Sequence, residues 1–200
     1  MKIKKLILAV SALGAAASAG AADFNFSGNI ATNNDVIEIA FSLAADATDV
    51  KVWTDSFQNA TNFDPITAVW RQVGSDYTVV GQNDDNASIA PGQTYYDSGL
   101  VFPSLTAGNY LFTIAAFSNF ANGSLLSQGF GGNGTTVPLA NWCQPASHCN
   151  MGTYYDVHLS GIDQARNITP SVPEPETYAM LMAGLGIVGA IARRRKAQKA

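Results

Sequence analysis

Asp64, Asn83, Asp84, Asp85 and Asp97 are the residues whose types and placement best suit ion chemistry. All five fall in loop-like stretches, beside turn signals such as Asp64-Pro65 and Asn83-Asp84-Asp85-Asn86. Ca2+ takes its oxygens from carboxylates, amide side chains and backbone carbonyls on flexible loops. Acidic loops meeting at one end of a β-structure would supply them. The same residues are also good turn formers, because Asp and Asn side chains hydrogen-bond their own backbone. No EF-hand spacing is present, so both readings stand.

Other chemistry finds less support. Cys143 and Cys149 are the two cysteines, and in an exported chain such a pair is expected to close a small disulfide loop. The loop-entropy treatment gives about 2–3 kcal/mol for so short a ring. A zinc site would draw on His148, Cys149 and His158, but zinc ligands usually come in tighter paired spacings. A nucleophilic triad needs a base and an orienting acid at fixed geometry. Neither Gly-x-Ser-x-Gly nor His-Glu-x-x-His occurs. A glycosidase needs two carboxylates across a cleft, and Glu38, the single Glu of the central region, lies mid-strand. The chain is therefore expected not to be an enzyme. Gly129–Gly134 lacks the strand-to-helix context and the Lys-Ser/Thr of a phosphate loop. Among the aromatics, Tyr95, Tyr96 and Trp142 fall in loop-like contexts and are candidates for stacking on sugar rings. Trp53 and Trp70 lie inside strands and are expected in the core.

The elements that would position these residues read as strands. Ile37, Ile39, Phe41 and Leu43 share one face, with Val36, Glu38, Ala40 and Ser42 opposite, and this period of two marks a half-buried strand. Similar runs cover Phe24–Gly28, Val50–Thr54, Ile66–Arg71, Tyr77–Val80, Leu100–Phe102, Tyr110–Ala116 and Tyr155–Leu159. Turn signals such as Asn33-Asn34-Asp35, Pro91-Gly92 and Ala107-Gly108-Asn109 separate them. The expected class is all-β, a jelly-roll-like antiparallel β-sandwich over residues 23–165. About 140 residues bury an adequate core without metal or disulfide help. The Gly- and Asn-rich stretch at about 118–136 is expected to be a long mobile loop.

Charge is split along the chain. Residues 1–5 hold three Lys and residues 193–199 hold five Lys/Arg. Between Ala22 and Thr169, Lys51, Arg71 and Arg166 stand against 13 carboxylates, a formal charge of −10. Phosphate binding needs clustered cations, so a nucleic-acid partner is excluded. Lys2, Lys4 and Lys5, an apolar run from Leu6, and Ala19-Gly20-Ala21 form a secretory signal peptide over residues 1–22, with cleavage at Ala21 or Ala22. The Sec translocon and signal peptidase are the partners this implies. Residues 166–177 read as a linker, and residues 178–200 as a transmembrane helix with a basic cytoplasmic tail.

Val172-Pro173-Glu174-Pro175, the apolar run after it, and Arg193-Arg194-Arg195 together resemble a PEP-CTERM sorting signal. Pro173 and Pro175 keep the segment extended, a form that a protease groove can read. The resemblance implies recognition by an exosortase, a membrane cysteine transpeptidase, and an association with exopolysaccharide and biofilm. It places the chain transiently in the inner membrane, then at the cell surface or in the extracellular matrix of a Gram-negative bacterium. A second resemblance covers about residues 24–118. Phe26-Ser27-Gly28-Asn29-Ile30, Val52-Trp53-Thr54, Asn62-Phe63-Asp64-Pro65-Ile66 and Leu105-Thr106-Ala107-Gly108-Asn109-Tyr110 follow an order similar to pre-peptidase C-terminal domains. That likeness implies a non-catalytic accessory sandwich; the Gly/Asn stretch, the cysteine pair and the lack of an attached enzyme domain depart from it. The functional expectation is a non-catalytic matrix protein, then a carbohydrate- or Ca2+-binding accessory module, and last a secreted hydrolase.

Overall fold

The computed structural model describes residues 22–132, 134–144, 148–169 and 184–185. The signal segment with Ala21, the motif Val172–Pro175 and the cluster Arg193–Arg195 lie outside the described residues, as does the tail apart from Gly184 and Leu185. Ala22 opens the first strand. Among the described residues no helix is long and apolar enough to cross a membrane.

The described residues form nine strands, eight of them on the alternating segments: β1 (Ala22–Asn29), β2 (Val36–Leu43), β3 (Ala47–Thr54), β4 (Pro65–Val73), β5 (Asp76–Asn83), β6 (Gly99–Leu105), β7 (Gly108–Ala116), β8 (Tyr154–Ile162) and β9 (Gln164–Asn167). Their pairing has a simple rule. β1 pairs with β8, β2 with β7, β3 with β6 and β4 with β5, all antiparallel. The chain thus runs as one long hairpin with its tip at Gly74-Ser75, where Gly74 takes a positive φ of 63°. The hairpin is rolled so that β8 also meets β3 and β7 also meets β4. Two antiparallel sheets result, β1-β8-β3-β6 and β5-β4-β7-β2-β9.

The period-two residues face inward between the sheets. Ile37, Ile39, Phe41 and Leu43 of β2 meet Val50 and Val52 of β3 and Tyr155, Val157 and Leu159 of β8 in one buried cluster. β4 and β7 break the alternation, with Pro65–Trp70 and Tyr110–Ala116 buried on both faces. A strand buried on both faces needs a second cover. The Gly/Asn-rich stretch supplies it: Ala121, Leu126 and Phe130 pack on Ala68, Trp70 and Leu111. The Phe130 ring meets the Trp70 ring edge-on at 6.1 Å. The Val79 N–H donates to the Ser124 carbonyl at 2.9 Å, and the Ser127 hydroxyl donates to Asp76 Oδ2. The Ser127 hydroxyl, with the Tyr77 and Ser127 N–H groups, holds the Asp76 carboxyl below its usual range. The expected mobile loop is therefore corrected to a folded flap, because its apolar residues find an apolar sheet face to cover.

The tryptophans divide accordingly. Trp70 is fully buried, under the flap rather than between the sheets. Trp53, expected in the core, instead points outward from β3 and is half-buried, since Val52 and Thr54 take the inward positions. β9 was not legible as a strand. It pairs with β2 across the expected boundary at residue 165, with Arg166 and Asn167 opposite Ala40 and Ile39.

Candidate metal centre

The hairpin register builds the acidic site. Thr67 of β4 is paired with Asn83 of β5. In an antiparallel pair, the residues before Thr67 therefore lie beside those after Asn83. Asp64 immediately precedes β4 and Asp84-Asp85 follow β5, so the two ends deliver three carboxylates to one place. Oxygens of Asp64, Asp84 and Asp85 lie within 4.8 Å of one another.

Asp64 is 4% exposed. Its backbone carbonyl accepts the Phe117 N–H at 2.9 Å, which ties it to the end of β7. Its Oδ2 accepts a hydrogen bond from Gln144 Nε2, while its Oδ1 is enclosed and has no hydrogen-bond partner, as is Asp84 Oδ1. Burial pushes the Asp64 carboxyl up to about 8, against the Gln144 bond and with help from the charges of Asp84, Asp85 and Asp97. Burial likewise raises Asp84 to about 6, with a contribution from Asp85, and raises Asp85. Among the described residues no basic side chain pairs with any of the three.

The remaining two of the five acidic-loop candidates serve the fold. Asp97 is fully buried with both oxygens occupied. Its Oδ1 accepts from the Thr54 hydroxyl and the Phe57 N–H, each at 3.0 Å, and its Oδ2 from the Thr94 N–H and hydroxyl. Asn83 sits in the β4–β5 ladder, its carbonyl accepting from the Ser98 hydroxyl at 3.0 Å. Sequence reasoning missed Gln144, whose enclosed Oε1 also lacks a partner. Its neighbour offered the signal: Cys143 is bonded to Cys149, and the Gln144 N–H donates to the His148 carbonyl at 2.8 Å within that ring. Residues 145–147 lie outside the described residues.

The other candidates are dispersed. Tyr95 is half-exposed and packs with Tyr96 around Phe57, and His148 joins the same group of rings. Trp142 packs on the main core, and its enclosed Nε1 has no hydrogen-bond partner. The His148, Cys149, His158 grouping is not formed, since Cys149 is in the disulfide and His158 lies against Asp55. A polar groove of about 470 Å³ crosses the outer face of the five-stranded sheet, lined by Tyr77, Gln72, Asn109, Gln164 and Arg166 among others.

An all-oxygen set with enclosed, unsatisfied lone pairs and no counter-charge is suited to a hard divalent cation. No curated protein matches the chain. Residues 171–196 match the family model of the PEP-CTERM protein-sorting motif, the stretch that holds Val172–Pro175 and Arg193–Arg195. That motif is the recognition signal for an exosortase, and it marks an exported protein that is anchored in a membrane and then processed.

Proposed function

We propose that this chain is a non-catalytic protein of the bacterial cell surface or extracellular matrix, sorted by an exosortase, whose ectodomain binds Ca2+ through Asp64, Asp84 and Asp85. One observation carries the Ca2+ reading: a carboxylate 4% exposed keeps an unpartnered oxygen beside two further carboxylates. Burying like charges together is costly unless a cation joins them. Ca2+ takes six to eight oxygens at about 2.3–2.6 Å; three carboxylates, the Gln144 amide oxygen and waters are the donors at hand. In the secreted setting that the motif marks, the sandwich would work among exopolysaccharide, and residues 178–200 would hold it in the inner membrane until processing.

The strand pairing supports reading the sandwich as a jelly roll. Each strand from β1 to β8 pairs with the one equally far from the other end of the hairpin, which is how a rolled hairpin makes two Greek keys. A non-catalytic accessory role of the pre-peptidase C-terminal kind accords with that topology.

The test is thermal melting of the full chain in EDTA and in millimolar Ca2+. The wild-type midpoint should rise with Ca2+, while Asp64→Asn should fold and give no rise. A wild-type midpoint indifferent to Ca2+ overturns the reading. A second reading, glycan binding, is favoured by the groove over the five-stranded sheet, where Tyr77 offers a ring and Gln72, Asn109 and Gln164 offer amides. In a polysaccharide pull-down, Tyr77→Ala should then lower retention more than Tyr96→Ala or Trp142→Ala.

A further inference from the structure

We propose a second metal site on the outer face of the four-stranded sheet, in which Asp55, Asp156 and His158 bind a borderline divalent ion such as Zn2+ or Ni2+. The sheet builds it. Tyr155, Val157 and Leu159 of β8 point into the core, so Asp156 and His158 share the outward face. Trp53 pairs with His158 and Thr54 with Val157, which places Asp55, the next residue, opposite Asp156. Its N–H donates to the Asp156 carbonyl at 3.4 Å. Three ligand atoms, one from each residue, lie within 4.8 Å of one another.

The distances suit an ion held between them. His158 Nε2 is 3.1 Å from Asp55 Oδ2 and 3.9 Å from Asp156 Oδ1. Zinc lies about 2.0–2.2 Å from N and O ligands, which at tetrahedral angles puts neighbouring ligand atoms about 3.3–3.6 Å apart. The observed separations bracket that spacing. Asp156 Oδ1 and His158 Nε2 are both enclosed and make no hydrogen bond.

The surroundings orient the ligands. The Tyr154 hydroxyl donates to Asp156 Oδ2 at 3.2 Å, leaving Oδ1 for the site. The Trp53 ring stacks on the His158 ring at 5.1 Å, with 18° between their planes, and fixes the imidazole. Such supporting contacts, set on rigid strands, are what a metal site needs. Two carboxylates facing one imidazole leave negative charge over, and Lys51, the basic residue of β3, is paired with Asp49 at 3.1 Å. A divalent ion bound to the neutral imidazole and both carboxylates leaves no net charge. The imidazole also sets the choice of ion, since nitrogen ligands favour Zn2+ and Ni2+ over Ca2+. With three protein ligands, further coordination positions are left to water or an outside donor.

Trp53 provides the readout. The full chain, stripped with EDTA and then saturated with Ca2+, is titrated with Zn2+ by calorimetry and with Ni2+ by tryptophan fluorescence. One Zn2+ should bind per chain, and Ni2+ should quench the emission. His158→Gln and Asp55→Asn should each remove both signals, two variants guarding against a fold defect in either. Trp53→Phe should lose most of the quenching, which identifies Trp53 as the reporter. Asp64→Asn should leave both signals intact, which separates this site from the Ca2+ reading. No Zn2+ heat in the wild type, or quenching that survives in folded His158→Gln, overturns the site and leaves a bare His–Asp ion pair.

Discussion

Asp64 couples the sandwich to pH. Its folded carboxyl lies at about 8 against an ordinary 3.8, so between those values the folded state keeps a proton that the unfolded chain has released. Stability therefore falls as pH rises across that window. In EDTA the melting midpoint should drop steadily from about pH 4 to pH 8, and Ca2+ should flatten the slope by stabilising the ionised form. Asp64→Asn should melt above wild type in EDTA at pH 8 and below it in saturating Ca2+; a wild-type curve flat with pH in EDTA would count against the buried charge. The acids were legible as loop residues, because Asp and Asn mark turns. Which of them converge was not, since that depends on the Thr67–Asn83 register, a pairing between strands. Asp97 looks identical in sequence and ends as a brace with its oxygens filled.

At the scale of elements, the flap is the part that composition hides. Its glycines suggest slack, yet Leu126 and Phe130 dock on Trp70. Phe130→Ala should cost about 1–3 kcal/mol, less than a full core truncation because the ring is only half-buried. Tryptophan emission should shift to the red as Trp70 gains water, and an unshifted spectrum would mean the flap does not shield it. The β6 strand carries a tighter constraint. A Cβ on Gly99 would lie 2.5 Å from the Val52 carbonyl oxygen and 2.7 Å from Trp53 Cβ. Because the first of these is backbone, Gly99→Ala should lower stability by about 2 kcal/mol or more in a urea melt. The strands from β1 to β8 were legible because apolar, β-branched and aromatic runs bounded by turn residues are a local signal. β9 was not, since Gln164–Asn167 has no apolar face of its own and is recruited by the free edge of β2.

For the whole molecule, the sorting motif was legible because it is linear and needs no partner strand to be read, whereas the work of the sandwich depends on what its topology gathers. Removing residues 172–200, which contain most of the matched motif, should leave the ectodomain folded and abolish its surface sorting, as scored by cell fractionation. A truncated chain that still reaches the surface would show that the motif is not the address.

The rolled hairpin has a consequence for how such a chain leaves the cell. Ala22 pairs with Ile162, and the strands between nest inside that pair. The first strand to emerge from a translocation channel thus waits for the last, and the pairing with the longest loop closes at the end. Until then the strands nested inside, beginning with the β4–β5 hairpin, are free to pair as each partner emerges. β1 is locked in place only once β8 has arrived on the far side, and with it the four-stranded sheet is complete.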